Sequence, residues 1–316
     1  MGTANRIGKT VIRITNELMN LFVLLVFLLL IAFSCYAIWD SSQIYSTASA
    51  TNYELFKPTI EQEGASFAQL QAINGDVFAW LTVYGTNIDY PVVQTDNNVT
   101  YVNTDARGNH SLSGAIFLDY RNGANFSDFS SILYGHHMDR QLMFGEIALF
   151  AEEEYFHARK YGALYIDGEA HGLSFFAFLH ADAYDFDVFR TDVTTEQEKS
   201  DYLSLLLEMA THVRADVPFD TDGRIVLLST CSTDSTNGRD ILLALITDEV
   251  QDDPFIIESI PHIAATASID TLTHFWARLN TQLQLSITMV VTLAIALLII
   301  FIDTKRERSR RSCNIR

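Results

Sequence analysis

The chain has 316 residues, enough for one large domain or two small ones, with 39 acidic against 21 basic side chains and a net charge of −18. Nine of the basic residues lie in the two tails, which leaves 36 acidic and 12 basic groups in residues 40 to 282. A middle region that acidic argues against nucleic acid or anionic headgroups as its partners, because basic patches supply affinity for both.

Residues 1–20 form a short tail ahead of Leu21–Trp39, an apolar run without a charge. A membrane helix needs roughly 20 apolar residues at about 1.5 Å each, and this run is long enough. Arg6, Lys9 and Arg13 precede it, so the positive-inside rule places the N-terminus in the cytoplasm. A cleaved signal peptide is the competing reading, with Ala48-Ser49-Ala50 as its cleavage triplet. The run is long for a signal, and the triplet falls about ten residues beyond its end, so a retained anchor is the expectation.

Residues 40–75 read as a helical extension. Ser41 to Phe56 carries scattered apolar positions, and after Pro58 the residues Phe67, Leu70 and Ile73 recur every three. From residue 76 to 250 the pattern changes to short apolar runs cut by turn residues: AWLTV, IDYPVV, GAIFLDY, SSILYG, YGALYID, LSFFAFLHA, RIVLLST and ILLALIT. The fold class expected is mainly β with helices (α+β), its eight strands forming a closed or nearly closed barrel. Two helices interrupt it, a short one at Phe144–Phe150 and a longer one at Thr194–His212. The longer helix would have Thr194 as N-cap and Tyr202, Leu203, Leu206, Leu207 and Ala210 on its apolar face.

Residues 251–282 lose the strand pattern and are expected to return the chain to the membrane. A second uncharged run, Leu283–Ile302, then reads as a transmembrane helix, and residues 303–316 form a basic cytoplasmic tail. Two membrane spans would thus bracket one extracytoplasmic domain, with both termini inside.

Of the three cysteines, Cys35 lies in the first apolar run and Cys313 in the last tail, so only Cys231 belongs to the middle region. No disulfide can form within that region, and a lone external thiol needs a reason to persist. Cys231 follows an apolar strand directly, where a nucleophile is held rigidly and can still face a groove. The plainer reading is a small buried hydrophobe. His136 stands just past another strand, after Gly135, a residue that permits a sharp turn. The pair His136-His137 also suggests a metal, but neighbours on extended chain point to opposite faces and no further Cys or His follows at ligand spacing. No metal or cofactor is expected. Arg239 opens the strand after Cys231, and antiparallel pairing of the two strands would return it beside the thiol. Its guanidinium suits an oxyanion forming on a scissile carbonyl, and a cation there also favours the thiolate.

The strings INGDVFAWLTVYGTNIDYPVVQ, GAIFLDYRN, ILYGHHMDRQLMFGEI, FRTD and LLSTCSTDSTNGRDILLALI occur in the order and spacing of class B sortases. Over roughly residues 40 to 250 the chain resembles that family. The resemblance implies an eight-stranded sortase barrel with an N-terminal helical extension. It implies a transpeptidase that cuts the sorting signal of a secreted protein after threonine, forms a thioacyl enzyme and passes the acyl group to an amine of cell-wall peptide or a pilin. Carried over by position, Cys231 would be the nucleophile, His136 the acid/base and Arg239 the oxyanion donor. Ser229, Thr230, Val188 and Phe189 would line the substrate groove, and Asn103 lies where the family has a groove asparagine.

Two features depart from the family or admit another class. The C-terminal span is atypical of class B and resembles the pilus-building class C, whose lid carries an Asp-Pro-aromatic motif ahead of the barrel; Asp253-Pro254-Phe255 has those letters after the last strand and reads as chance. A papain-like peptidase would use Cys and His too, but with Cys first in the chain and an Asn or Asp orienting the base. A binding module that has lost activity is the third reading, and a thiol-reactive probe that fails to label Cys231 would favour it.

Overall fold

The structure is a computed structural model that describes residues 2–58, 65–218, 220–232 and 237–255. The second apolar run and the basic tail lie outside the described residues, as does most of the membrane-proximal segment. The chain divides into two compact units, one of which comprises Trp39–Ile257.

Helix α1 (Gly2–Ala48) contains the first apolar run. Among the described residues it is the one helix long and apolar enough to cross a membrane. The extension continues through 3₁₀ turns at Ala50–Asn52 and Glu54–Phe56 to helix α2 (Ala65–Ile73). It is seated on the domain by specific contacts. The Tyr90 hydroxyl donates to the Ala48 carbonyl at 2.9 Å, and the Arg107 guanidinium lies 5.3 Å from the Tyr53 ring centroid and 5.5 Å from that of Phe56.

Strands follow in chain order: β1 (Val77–Val83), β2 (Asp89–Val93), β3 (Ile116–Leu118), β4 (Ser130–Tyr134), β5 (His137–Met138), β6 (Leu142–Met143), β7 (Tyr161–Ile166) and β8 (Glu169–Asp182). Helix α3 (Glu153–Ala158) precedes β7, and helix α4 (Glu196–Met209) follows β8. The last strands are β9 (Ala210–Val213), β10 (Arg224–Cys231) and β11 (Gly238–Thr247). Eight of them close a barrel in the order β11-β10-β4-β3-β2-β1-β7-β8, sealed by pairing of β8 with β11. These eight are the strands read from the apolar runs. β9 adds at the edge of β8, and β5 with β6 forms a separate hairpin.

The runs of β10 and β11 are apolar without alternation because both faces are covered. Val226, Leu228, Leu242, Ala244 and Ile246 join one buried cluster with Leu81, Phe175 and Phe178. Ile225, Leu227, Ile241, Leu243 and Leu245 join another with Tyr202, Leu203 and Leu206 of α4. Since a helix can cover a closed barrel only from outside, the second set is the outer face and the first lines the interior.

Both expected helices shift. The residues expected as one helix at Phe144–Phe150 begin in a turn, and a 3₁₀ helix at Ile147–Ala151 is cut from α3 by the extended backbone of Glu152. The longer helix is capped by Thr195 rather than Thr194: its hydroxyl accepts from the Glu198 N–H, and the Glu198 carboxylate accepts from the Thr195 N–H in return. It ends at Met209 because Ala210 turns extended and pairs with the free edge of β8, where ladder hydrogen bonds replace those of another helical turn.

Candidate active site

Strand β10 lies between β4, which it pairs in parallel, and β11, which it pairs antiparallel. In the antiparallel register Cys231 stands opposite Arg239. In the parallel register the last pair is Ser229 with Tyr134, and two residues further each strand reaches Cys231 and His136. The Gly135 N–H donates to the Ser229 carbonyl at 3.2 Å, continuing the parallel pairing toward that level. Alternation along β10 puts Ser229 and Cys231 on the outer face with Ile225 and Leu227, while Thr230 faces inward.

Cys231, His136 and Arg239 together line a cavity of ≈ 320 Å³, whose wall also includes Asn98, Val102, Phe117, Tyr134, Gly135 and Ser229. Cys231 is an exposed free thiol, and Cys35 is free as well. His136 Nε2 lies 2.8 Å from the Val102 carbonyl oxygen. A carbonyl only accepts, so Nε2 is the donor and this bond fixes the orientation of the ring. Arg239 Nη1 donates to the Gly238 carbonyl at 3.0 Å, and no carboxylate among the described residues lies within 4 Å of this guanidinium. On the inner face behind it, buried Asp240 accepts from His180 Nδ1 at 2.7 Å, which braces the start of β11 against β8.

Gly135 does not occupy the left-handed region, so the sharp turn expected of it is not its role. Its need is space: a Cβ there would stand 2.5 Å from Ile116 Cδ1 and 2.7 Å from Phe144 Cδ2, both on buried side chains.

The residues expected to line the groove divide. Ser229 lines the cavity, with its buried hydroxyl lacking a hydrogen-bond partner among the described residues. Thr230, on the inner face, is buried and does not line the cavity; its hydroxyl also has no hydrogen-bond partner among the described residues. Val188 packs in the outer cluster, and its carbonyl accepts from the Tyr202 hydroxyl at 2.6 Å, so it backs the wall rather than forming it. Phe189 lines a second cavity of ≈ 320 Å³ beyond Arg239. Asn103 is exposed, with its carbonyl accepting from the Ser111 N–H at 3.0 Å, and the asparagine that lines both cavities is Asn98. Asn98 lies in the polar turn after β2, where no periodicity marks one residue over its neighbours. Tyr134, directly before Gly135, also lines both cavities, and adjacency to the glycine-histidine pair was its only signal.

Within this wall the Tyr134 hydroxyl donates to Asp119 at 3.0 Å. Burial, and then the Asp119 charge, push the Tyr134 phenol far above its usual range, so it remains a neutral donor. Burial would raise the Asp119 carboxyl, but the bonds from the Arg121 side chain and backbone N–H outweigh it and hold the group below its ordinary value. Among the described residues, no group of three or more His, Cys, Asp or Glu side chains could hold a metal ion. The Phe255 ring packs over Gly85 and lies 5.4 Å from the Arg159 guanidinium, and neither partner lines the Cys231 cavity.

No family model matches the chain. Sortase B of Listeria monocytogenes is 29% identical over 175 residues, which cover 55% of this chain and 70% of that protein. The crystal structure of sortase B from the Type II pilus of Streptococcus pneumoniae is 44% identical, with a TM-score of 0.51 over 58% of this chain and 99% of that one. A Streptococcus pyogenes class B sortase involved in pilus biogenesis is 38% identical, with a TM-score of 0.53 over 58% of this chain and 99% of that one. With an eight-stranded barrel of the sortase type, and identity of this level across nearly the whole of two solved members, the chain belongs to the class B sortases, which are cysteine transpeptidases.

Proposed function

We propose that Cys231 is the nucleophile, His136 the acid/base and Arg239 the oxyanion donor in cleavage and transfer of a sorting signal. The strand register carries this reading: Cys231 pairs with Arg239 on one side, and the parallel pairing leads to His136 on the other. The Cys231 thiolate attacks the carbonyl carbon of the signal's threonine, a C–S bond forms, and the oxyanion is met by the Arg239 fork. The C–N bond then breaks, and the leaving amine takes a proton from His136. An acceptor amine next attacks the thioester and gives a proton to His136; a new C–N bond forms and the thiolate leaves.

The donor on this reading is the sorting signal of a secreted protein, and the acceptor is an amine of cell-wall peptide or a pilin lysine. Identity of 44% and 38% to the two pilus sortases, against 29% to the Listeria sortase B, favours the pilin amine. The basic residues ahead of Leu21–Trp39 support a cytoplasmic N-terminus, a retained anchor and a catalytic barrel outside the cell. Within the same reading, Leu283–Ile302 is a second span that returns the C-terminus to the cytoplasm. The test is mass spectrometry of the protein mixed with a threonine-containing sorting peptide without acceptor amine. A mass increase on Cys231 equal to the fragment up to threonine is expected, with none in Cys231→Ala. Cleavage without an adduct on Cys231 would refute it.

A further inference from the structure

The second cavity, beyond Arg239, adjoins the first, with Asn98, Tyr134 and Arg239 in the wall of both. Its far wall comes from the connection between β8 and α4, through Ala183, Phe186 and Phe189. That connection has no strand or helix of its own; backbone turns, such as the Phe189 N–H on the Asp185 carbonyl at 3.3 Å, and side-chain bonds hold it. Arg121 supplies one. Its Nε and Nη2 grip the two oxygens of buried Asp119 at 2.9 and 2.7 Å, and Nη2 also donates to the Phe189 carbonyl at 3.1 Å. Asp119 in turn accepts from Tyr134, on the partition between the cavities. A single guanidinium thus joins the β3 end, the partition and the far wall. Two large aromatic side chains on this cavity, Tyr120 and Phe186, are 52% and 77% exposed, open to a ligand arriving from Cys231.

We infer that Arg121 is a positioning residue for the donor substrate: by fixing the Phe189 segment it shapes a second chamber that binds an extended stretch of the sorting peptide flanking the cleaved bond. The inference rests on the transpeptidase reading, and it assigns Arg121 to binding rather than to the thiol chemistry. Lysine keeps the charge and cannot reproduce the fork on Asp119 together with the carbonyl bond. For Arg121→Lys, KM for a sorting peptide should rise about five- to tenfold with kcat within about twofold, the pattern of lost uniform binding. The rate of Cys231 alkylation by iodoacetamide, a reagent too small to need the chamber, should stay at the wild-type level.

Phe186→Ala provides the second arm, since so exposed a ring contributes little to folding. It should raise KM by about threefold at unchanged thermal midpoint, because one aromatic contact is lost. If Phe186→Ala leaves KM unchanged, the chamber takes no substrate and the inference falls, whether or not Arg121→Lys folds. A fall in kcat at constant KM in Arg121→Lys would overturn it equally. A wild-type protein that turns over no sorting peptide would instead overturn the transpeptidase reading and this inference with it, a result distinct from either variant outcome.

Discussion

Replacing Gly135 with alanine tests how the fold holds His136. The added Cβ would lie 2.5 Å from Ile116 Cδ1 and 2.7 Å from Phe144 Cδ2, where carbon atoms normally rest about 3.5–4.0 Å apart. Something must therefore retreat by about 1 Å. Both neighbours are fully buried, and the Phe144 N–H donates to the His136 carbonyl at 3.0 Å, so much of the displacement falls on the segment that carries the histidine. Overpacking of this kind costs about 1–3 kcal/mol, which for a domain of roughly 200 residues lowers Tm by about 2–12 °C. A misplacement of about 1 Å at a catalytic group costs on the order of 10²-fold in rate. Calorimetry and peptide–amine ligation well below the lower Tm check the two effects on one sample. A lowered Tm with undiminished turnover would show that this packing does not place the acid/base, and an unchanged Tm would show that the core has room.

Arg239→Lys keeps the charge beside Cys231 but loses the planar fork; as for other lost oxyanion donors, kcat should fall by about 10²–10³ with KM near its original value. A lysine variant with full kcat in single-turnover assays would refute the oxyanion role. Buried Arg214 donates to the carbonyls of Phe156, His157 and Arg159 around the C-terminal end of α3. Arg214→Met removes this donor from all three, although the Phe156 carbonyl keeps the Arg159 N–H; at about 1–3 kcal/mol for a buried group left unpaired, chemical denaturation should show a stability loss while Cys231 alkylation in native buffer is unchanged. The Glu198 carboxyl is lowered to about 2, first by the Thr195 N–H, then by the Thr195 hydroxyl and the Thr194 N–H. A lowered folded value means its contribution is present above the ordinary value of 4.5 and is lost as pH falls from there toward 2. Thermal midpoints of wild type and Glu198→Gln should therefore differ above pH 5 and converge as pH falls through that window; a constant gap would refute the capping-box assignment.

Much of this was legible because strand signals here are local. Each barrel strand carries its own apolar run between turn residues, and the hairpin from Cys231 to Arg239 is short enough that antiparallel return could be read from spacing. His136 is different. It reaches the thiol through a parallel pairing of β4 with β10 across some ninety residues of chain, and parallel register has no signature in either strand alone. The end of α4 failed to read for a related reason: Ala210–His212 fit the helical pattern, and only the free edge of β8, a tertiary feature, draws them into a strand. The groove was least legible, since Asn98 reaches it from a polar turn and Val188 is kept from it by a core whose extent no motif reports.

The arrangement on three strands has a mechanical consequence. Neighbouring strands stand about 4.8 Å apart, so the His136 and Arg239 backbones flank Cys231 at about 10 Å from each other, with the thiol between them. At that separation neither flanking side chain needs the other to be positioned. Each is set by its own contacts: His136, just past the end of β4, through the Val102 carbonyl and the glycine packed against Phe144, and Arg239 through the ladder that fixes β11 to both β10 and β8. The row runs across the strands on the outer face, so on the proposed reading a peptide whose carbonyl sat over the sulfur and under the Arg239 fork would be led along the row toward Asn98, Tyr134 and the chamber that Arg121 braces. Substrate selection and acyl chemistry would then share Arg239, which lines both cavities, as their boundary, so a change at Arg121 should be felt in KM and a change at Arg239 in kcat.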